Sequence, residues 1–159
     1  VITTQMFDLF MDRNGLHVYR PPGAVVQEHT WYWGENATLL LPEVGASLHA
    51  WYGGHREAAA LQRARTSANV ECFAAASLPS KLTVRGWLPG DRMVPFGQRH
   101  SKKLQDIFVD AKVLRDQRSR VPIILADDHV IWAAGIKRAD TGRIERQTDQ
   151  IICLELRRE

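Results

Sequence analysis

The sequence predicts an α+β fold with an antiparallel, β-rich, sandwich-like core and two or three short helices. Short apolar runs of strand character recur along the chain, and Gly, Pro and Asn residues separate them. Only a few segments show the helical spacing of apolar residues. With 159 residues, the chain is long enough to bury a core without a metal or a disulfide.

The strand predictions form two groups, one on each side of residue 80. The first covers residues 16–19, 25–33, 38–41, 47–52 and 70–76, and the second covers residues 82–87, 123–126, 130–134 and 150–156. Aromatic residues in the first group, such as Trp31 and Trp33, could stack on bases, but alternating aromatics in a strand are more typical of core. Trp87 and Trp132 are interpreted as packing residues.

Four segments have a helical pattern. A short one covers residues 4–10, and residues 55–66 fit either a weak helix or a solvated loop because they contain a single large apolar residue. Another begins at Ser101, and a short one covers residues 114–120. The apolar face of the helix at Ser101 is formed by Leu104, Ile107, Phe108 and Ala111.

The chain divides into three predicted parts. Residues 1–15 are the tail of a preceding helical element, residues 16–80 form a β-rich lobe, and residues 81–159 form a second lobe after a Ser-Leu-Pro-Ser break. A start at Val1 rather than Met suggests a piece of a longer protein.

Several classes of protein are excluded. Cys72 and Cys153 are far apart with no framework spacing, which favours a reducing, cytoplasmic compartment. No apolar run approaches the roughly 20 residues that cross a bilayer, so no membrane partner is expected. The six histidines lack ligand spacing, and no phosphate loop or nucleophile motif occurs, so we predict no catalytic residue, no metal and no cofactor in this chain.

Positive charge is concentrated in one segment. Residues 81–120 carry ten Lys and Arg against four Asp, a net of +6 in a chain whose total is +3. A local excess of this size is typical of a polyanion-binding surface. Nucleic acid is therefore the first candidate partner.

The predicted helix at Ser101 has two cations, Lys102 and Lys103, in its first turn, where the helix dipole disfavours them. A phosphate held by these side chains, by Arg99 and His100 and by the free amides of that turn would offset this cost. The alternative is a surface pair between Lys102 and Asp106. The neighbouring cations favour the phosphate.

Further cations follow the same segment. Lys112, Arg115 and Arg118 would extend a track for a sugar-phosphate backbone along the second helix, although a solvated helix face is the alternative. Arg92 could contact RNA or pack locally, and Asp91 is expected to cap the preceding turn.

The spacing of several motifs resembles the C-terminal domain of tRNA(Ile)-lysidine synthetases. The matching elements run from Leu82 to Gly135 and include Pro89-Gly90-Asp91-Arg92, Pro95-Phe96-Gly97 and Lys102-Lys103-Leu104. Residues 16–80 resemble the family only loosely, and residues 140–159 hardly at all. By this resemblance the fold is a β-sandwich flanked by helices, similar to a module of the phenylalanyl-tRNA synthetase β chain.

The resemblance implies a function outside catalysis. The parent enzyme uses ATP and Mg²⁺ to join L-lysine to the wobble cytidine of tRNA(Ile), and that chemistry belongs to an N-terminal domain whose phosphate loop is not found here. The C-terminal region would bind the acceptor stem. A homodimer is possible, and the sequence does not decide the oligomeric state. Two rivals remain: a structural module that docks on the catalytic domain or a second subunit, and an independent enzyme, for which no site can be assembled.

Overall fold

The structure, a computed structural model, describes residues 8–13, 15–19, 24–64 and 68–159. Strands β1 to β7 are Asp8–Asp12, Gly15–Tyr19, His29–Trp31, Thr38–Leu41, Ala46–Gly53, Val70–Ala74 and Leu82–Arg85. Strands β8 to β13 are Arg92–Met93, Lys102–Lys103, Ile123–Ala126, His129–Ala133, Lys137–Arg138 and Ile151–Arg158. Helices α1 and α2 are His55–Ala64 and Leu104–Asp110, and 3₁₀ turns cover Pro42–Val44, Ala75–Ser77 and Arg115–Arg120.

Two antiparallel sheets form the centre of the fold. The five-stranded sheet has the order β12-β11-β10-β7-β3, and the four-stranded sheet has the order β4-β5-β13-β6. Their facing sides share one buried cluster, in which Trp31, Leu82 and Ile124 of the larger sheet meet Leu48, Phe73 and Leu154 of the smaller one. Burial of these large apolar side chains stabilises the sandwich. The predicted sandwich-like α+β fold is confirmed.

A helix covers the outer side of each sheet. Leu104, Ile107 and Phe108 of α2 pack with Ile123 and Leu125 of the five-stranded sheet. Ala58 of α1 packs with Ile151 of the four-stranded sheet. The layers are therefore α2, five strands, four strands and α1, so the two helices lie on opposite sides of the molecule. The segment 55–66, predicted as a weak helix or a loop, contains a ten-residue helix.

Hydrogen bonds cross the boundary predicted at residue 80. Strand β3 pairs with β7, and β13 pairs with both β5 and β6. The β-rich segment 16–80 and the segment 81–159 thus share both large sheets, and the predicted boundary does not divide them. The division missed this because strand pairing over long separations leaves no local signal in a sequence.

The prediction of a helix over residues 4–10 is wrong where it can be compared. Residues 8–12 form β1, which pairs with β2 in a hairpin from Asp8↔Tyr19 to Asp12↔Gly15. Residues 4–7 of that predicted helix lie outside the described residues. Cross-strand pairing determines the structure here, because the apolar residues of so short a segment fit a strand as well as a helix.

The two cysteines are neighbours despite their separation of 81 residues. Cys72 lies directly opposite Cys153 in the register of β6 and β13, with their Cα atoms 4.1 Å apart, and the two form a disulfide. The interpretation of the two cysteines as unpaired because they are far apart in sequence is therefore wrong. The cytoplasmic location remains a prediction. Within the described ranges, no helix is long and apolar enough to span a membrane.

Candidate nucleic-acid interface

A two-stranded ribbon, β8 with β9, presents two cations side by side. Its antiparallel register places Arg92 directly opposite Lys103, and Met93 opposite Lys102. Both Arg92 and Lys103 are exposed, whereas Met93 is buried. Directly opposite residues have Cβ atoms about 4.5–5.5 Å apart, and like charges there destabilise a sheet. The free protein thus holds two like charges in an arrangement that an anion would relieve.

The predicted helix start at Ser101 is wrong. Helix α2 begins at Leu104, and Lys103 is its N-cap residue, with extended backbone angles and no side-chain cap. The Leu104 amide donates to Asp91 O at 2.9 Å, so this amide is not free for a phosphate. Lys102 and Lys103 form a strand because they pair with Arg92 and Met93. The convergence of first-turn amides and lysines on one anion is therefore not present.

Lys102 and Lys103 face opposite sides of the ribbon and have different surroundings. The Lys102 ammonium group forms an ion pair with Asp110, not with Asp106 as in the predicted alternative. It also lines a cavity of about 290 Å³ together with Pro95, Ile107 and Lys137. The charge of Lys102 is balanced within the protein, while Lys103 keeps its charge beside Arg92.

The loop between β8 and β9 adds an exposed arginine and an exposed histidine. Arg99 and His100 are both exposed and directly precede Ser101. Arg92 reaches the same place, because its Nε donates to Ser101 Oγ at 2.9 Å. We call Arg92, Arg99, His100 and Lys103 the cationic ribbon. It lies on the α2 side of the molecule.

Lys112 and Arg115 lie beyond the other end of α2. The Val113 amide donates to Phe108 O at 2.9 Å and the Lys112 amide to Val109 O at 3.0 Å, which is a Schellman motif. Lys112 occupies its left-handed position with φ 58°, and both Lys112 and Arg115 are exposed. The seven-residue helix separates them from the cationic ribbon by about 10 Å.

Arg118 differs from the other predicted contacts because it is buried. Only 8% of the residue is exposed, its guanidinium carbon lies 5.7 Å from the Phe108 ring centre, and its Nε donates to Val113 O. The structure therefore does not bring Arg118 and Arg115 together on a solvent-facing track. Arg118 packs the 3₁₀ turn Arg115–Arg120 onto α2.

An ion pair fixes the turn that leads into the ribbon. Asp91 accepts from Arg85 Nη1 and Nη2 at 2.9 and 3.0 Å and from the Leu88 amide at 2.7 Å. Gly90 has the φ of 93° that a type II turn requires, as predicted. Burial raises the pKa of the Asp91 carboxyl, but the hydrogen bonds from Arg85 and Leu88 outweigh burial and hold that pKa below its usual range. The expected capping role of Asp91 is confirmed.

Replacing Asp91 with Ala should lower the free energy of unfolding by about 2–3 kcal/mol at pH 7, because Arg85 would stay mostly buried without its partner. A depressed pKa contributes stability above the unfolded value of about 4 and loses it as the pH falls through the folded value. The difference between wild type and Asp91→Ala should therefore shrink below about pH 4 in urea titrations. Asp116→Ala, at an exposed carboxyl, is the control, and a constant difference across this range would contradict the assignment.

Three cations near the ribbon were not predicted from the sequence. Lys137 is exposed on β12 and lines the same cavity as Lys102. Arg138 is 5% exposed, and Arg143 forms an ion pair with Asp140 at 3.0 Å. They lie outside the segment 81–120 in which charge is concentrated, so composition did not point to them. Their only sequence signal is the pair Lys137-Arg138 beside an apolar hairpin.

No metal-binding constellation is present in the described part of the chain. There, no group of three or more His, Cys, Asp or Glu residues could hold a metal ion. The surface features that can act chemically are cations and exposed amphipathic side chains, which bind anions and stack on planar groups. The arrangement is suited to binding.

The layered fold places the chain in a class of C-terminal domains that has been solved before. A crystal structure described as the TilS C-terminal domain superposes with a TM-score of 0.66 and 29% identity, over 83% of this chain and 98% of that one. A family model described as the TilS substrate C-terminal domain matches residues 82–154, and the chain belongs to this family through that segment. The match extends past Gly135, so the expectation that residues 140–159 hardly resemble the family is wrong as far as residue 154.

Two longer relatives are both described as tRNA(Ile)-lysidine synthases. A tRNA(Ile)-lysidine synthase of Symbiobacterium thermophilum is 34% identical over 142 residues, which is 89% of this chain and 29% of the relative. One of Geobacter sulfurreducens is 42% identical over 66 residues, 42% of this chain and 14% of the relative. The chain thus spans less than a third of the length of these relatives.

Proposed function

We propose that this chain is the tRNA-binding module of a tRNA(Ile)-lysidine synthase. Its role is to bind the acceptor stem of tRNA(Ile) and to position the tRNA, while ATP-dependent ligation of lysine to the wobble cytidine takes place elsewhere in the enzyme. ATP, Mg²⁺ and lysine then belong to the rest of the enzyme. Family membership and the names of the relatives support the choice of tRNA(Ile).

The observation that carries the proposal is the pairing of Arg92 with Lys103. A sheet of two strands gains little stability by itself, and like charges directly opposite each other reduce it further. A phosphate between the two side chains turns this repulsion into two charge-assisted contacts. Arg99 and His100 supply further donors around Ser101. The cationic ribbon is therefore suited to the sugar-phosphate backbone.

Lys112 and Arg115 extend the interface past the end of α2. Phosphate contacts of this kind fix the orientation of an RNA but carry little sequence information. A-form RNA displays phosphates and 2′-hydroxyls across a wide minor groove, so recognition by shape fits a cationic surface without a deep cleft. Arg118 is left out of the interface because it is buried.

A docking module is the second candidate. Three large apolar side chains on the α2 side of the molecule are well exposed: Leu88 at 53%, Val109 at 58% and Leu114 at 61%. Apolar residues next to cations are also typical of protein contacts, where aromatic residues and Arg are enriched. On this alternative, the basic segment meets an acidic protein surface of the catalytic domain or of a second subunit.

A titration of the 159-residue chain with tRNA(Ile) and with an unrelated tRNA distinguishes the two candidates. Binding by the ribbon should weaken by roughly 10²–10³-fold between about 50 and 200 mM salt, because each neutralised phosphate releases counterions. Fluorescence anisotropy provides the affinities. A chain that binds neither RNA at about 50 mM salt would refute RNA binding and leave the docking module.

A further inference from the structure

Four side chains form a stack that runs from the core to the surface next to the proposed interface. The guanidinium carbon of Arg138 lies 4.2 Å from the ring centre of Phe73 and 4.7 Å from that of Phe96. The guanidinium carbon of Arg143 lies 5.0 Å from the Phe96 ring centre. The order is thus Phe73, Arg138, Phe96, Arg143, with aromatic rings and guanidinium groups alternating.

The inner part of this stack is held rigidly. Phe73 is fully buried and Arg138 is 5% exposed. Arg138 donates to the carbonyl groups of Cys72, Ala139 and Thr141, which leaves its guanidinium group little freedom to move. Phe96, at 37% exposed, lies between this fixed group and Arg143.

Arg143 ends the stack at the surface and is oriented by a carboxylate. Its Nη2 donates to Asp140 Oδ1 at 3.0 Å, and the same oxygen accepts from the Gly97 amide at 3.0 Å. A guanidinium group donates its hydrogen bonds in its own plane, so they do not block the face of Arg143 that is turned away from Phe96. The Arg143 side chain is 51% exposed. It therefore has an oriented, solvent-accessible surface.

Arg143 also lines an open groove of about 960 Å³. The lining of this groove also includes Trp33, Ser77, Gln147 and Asp149. Its polar groups are both donors and acceptors, and Asp149 and Glu145 make it unfavourable for phosphates. A neutral planar group with hydrogen-bonding edges fits such a lining better than an anion does.

We propose that Arg143 is a stacking site for an unpaired nucleobase of the bound RNA. The base lies against the guanidinium group of Arg143, and its edge faces the polar residues of the groove. Unstacked bases bind to proteins on aromatic rings and on Arg guanidinium planes in this way. This inference rests on the proposed RNA-binding function and adds to it a preference for an RNA that has a single-stranded segment beside a stem.

Three hairpin RNAs test the inference with the 159-residue chain. One has a short single-stranded extension, the second has the same extension without bases, and the third is blunt. The wild-type chain should bind the extended hairpin about tenfold more tightly than the abasic one, because only the bases differ. Arg143→Lys, which keeps the charge but not the plane, should reduce this preference to near one with the same salt dependence. Arg146→Lys, at an exposed arginine of the same loop, should keep the preference.

Each outcome decides one of the two proposals. Equal affinity of the wild-type chain for the extended and abasic hairpins would overturn the stacking site while leaving backbone binding intact. Loss of the preference in Arg146→Lys as well as in Arg143→Lys would also overturn it, since charge or loop structure would then explain the effect. Failure to bind any of the hairpins would overturn the proposed RNA-binding function and the stacking site with it. Thermal unfolding of both variants verifies that they fold.

Discussion

Replacing Arg138 with Met is expected to lower the free energy of unfolding by about 3–5 kcal/mol, a large fraction of what a domain of this size has. The carbonyl groups of Cys72, Ala139 and Thr141 would lose a charged donor inside the protein. The stacking of the guanidinium group on Phe73 would be lost as well. Met retains much of the apolar volume, so the loss reports on the polar contacts. Chemical denaturation measures it.

Arg138 covers the free edge of a sheet. Strand β6 is the last strand of its sheet, and the carbonyl of Cys72 on its free side accepts from Arg138. The Ala74 amide on the same edge donates to Gly142 O at 2.8 Å. Unpaired edge groups are a liability for aggregation, and these contacts cover them. Arg138→Met should therefore also increase aggregation on heating, which light scattering would detect.

Glu71 gives this prediction a pH dependence. Burial raises the pKa of Glu71, and the charges of Arg138 and Lys137 partly offset that rise. Burial also lowers the pKa of Arg138 to about 10, so Arg138 is still charged at pH 7. A raised carboxyl pKa means that the ionised group costs stability as the pH rises through the folded value. Without Arg138 this cost is larger at pH 7, but it disappears when Glu71 is protonated.

The destabilisation by Arg138→Met should therefore be smaller at about pH 4 than at pH 7, and Glu71→Gln should partly rescue it at pH 7. Arg146→Met, at an exposed arginine, is the matched control and should change stability by less than about 0.5 kcal/mol. Equal destabilisation by the two arginine variants would show that Arg138 is not held as described. If Glu71→Gln does not rescue stability at pH 7, the ionised Glu71 carboxylate is not a cause of the destabilisation.

The sequence predicted the sandwich well because its strands carry strong local signals. Residues 38–41 and 123–126 were predicted with the bounds that the structure has, since apolar and β-branched runs end there at turn residues. The turn at Gly90 followed from Pro-Gly chemistry alone. Most of the apolar face of α2 followed from spacing, because Leu104, Ile107 and Phe108 are all buried. The fourth predicted position, Ala111, is wrong, since it is the C-cap residue and is exposed.

Long-range pairing explains what sequence reasoning missed. Strands β8, β9 and β12 have two residues each and are rich in Lys and Arg, so they carry no strand signal. These segments become strands because of the residues they pair with. For β9, the pairing of Lys102 with Met93 is an example. The burial of Arg138 could not be predicted either, since a charged residue in a polar segment is typical of a surface. Strand pairing, together with the bridge between Pro95 and Ala139, brings Phe73, Arg138 and Phe96 close to one another.

The second large effect is expected from removing the exposed cations of the interface together. A variant with Arg99, Lys103, Lys112 and Arg115 changed to Ala should bind tRNA(Ile) roughly 100-fold more weakly at about 0.1 M salt. The slope of log affinity against log salt should flatten by about one unit for each lost phosphate contact. All four side chains are exposed, so the fold should tolerate their removal. Anisotropy titrations at several salt concentrations measure both quantities.

Single substitutions distinguish the ribbon from the helix start that the sequence predicted. A phosphate at a helix N-terminus would use Lys102 and Lys103 alike, whereas the ribbon exposes Lys103 and pairs Lys102 with Asp110. Lys103→Ala should therefore flatten the salt dependence, while the charge-neutral pair Lys102→Ala with Asp110→Ala should change it little. Arg56→Ala removes an exposed cation on α1, which packs on the other sheet, and serves as the control. If the Lys102 and Lys103 variants lose equal slope, the ribbon is not the phosphate site. If only the Lys103 variant loses slope, the phosphate contact lies on the ribbon.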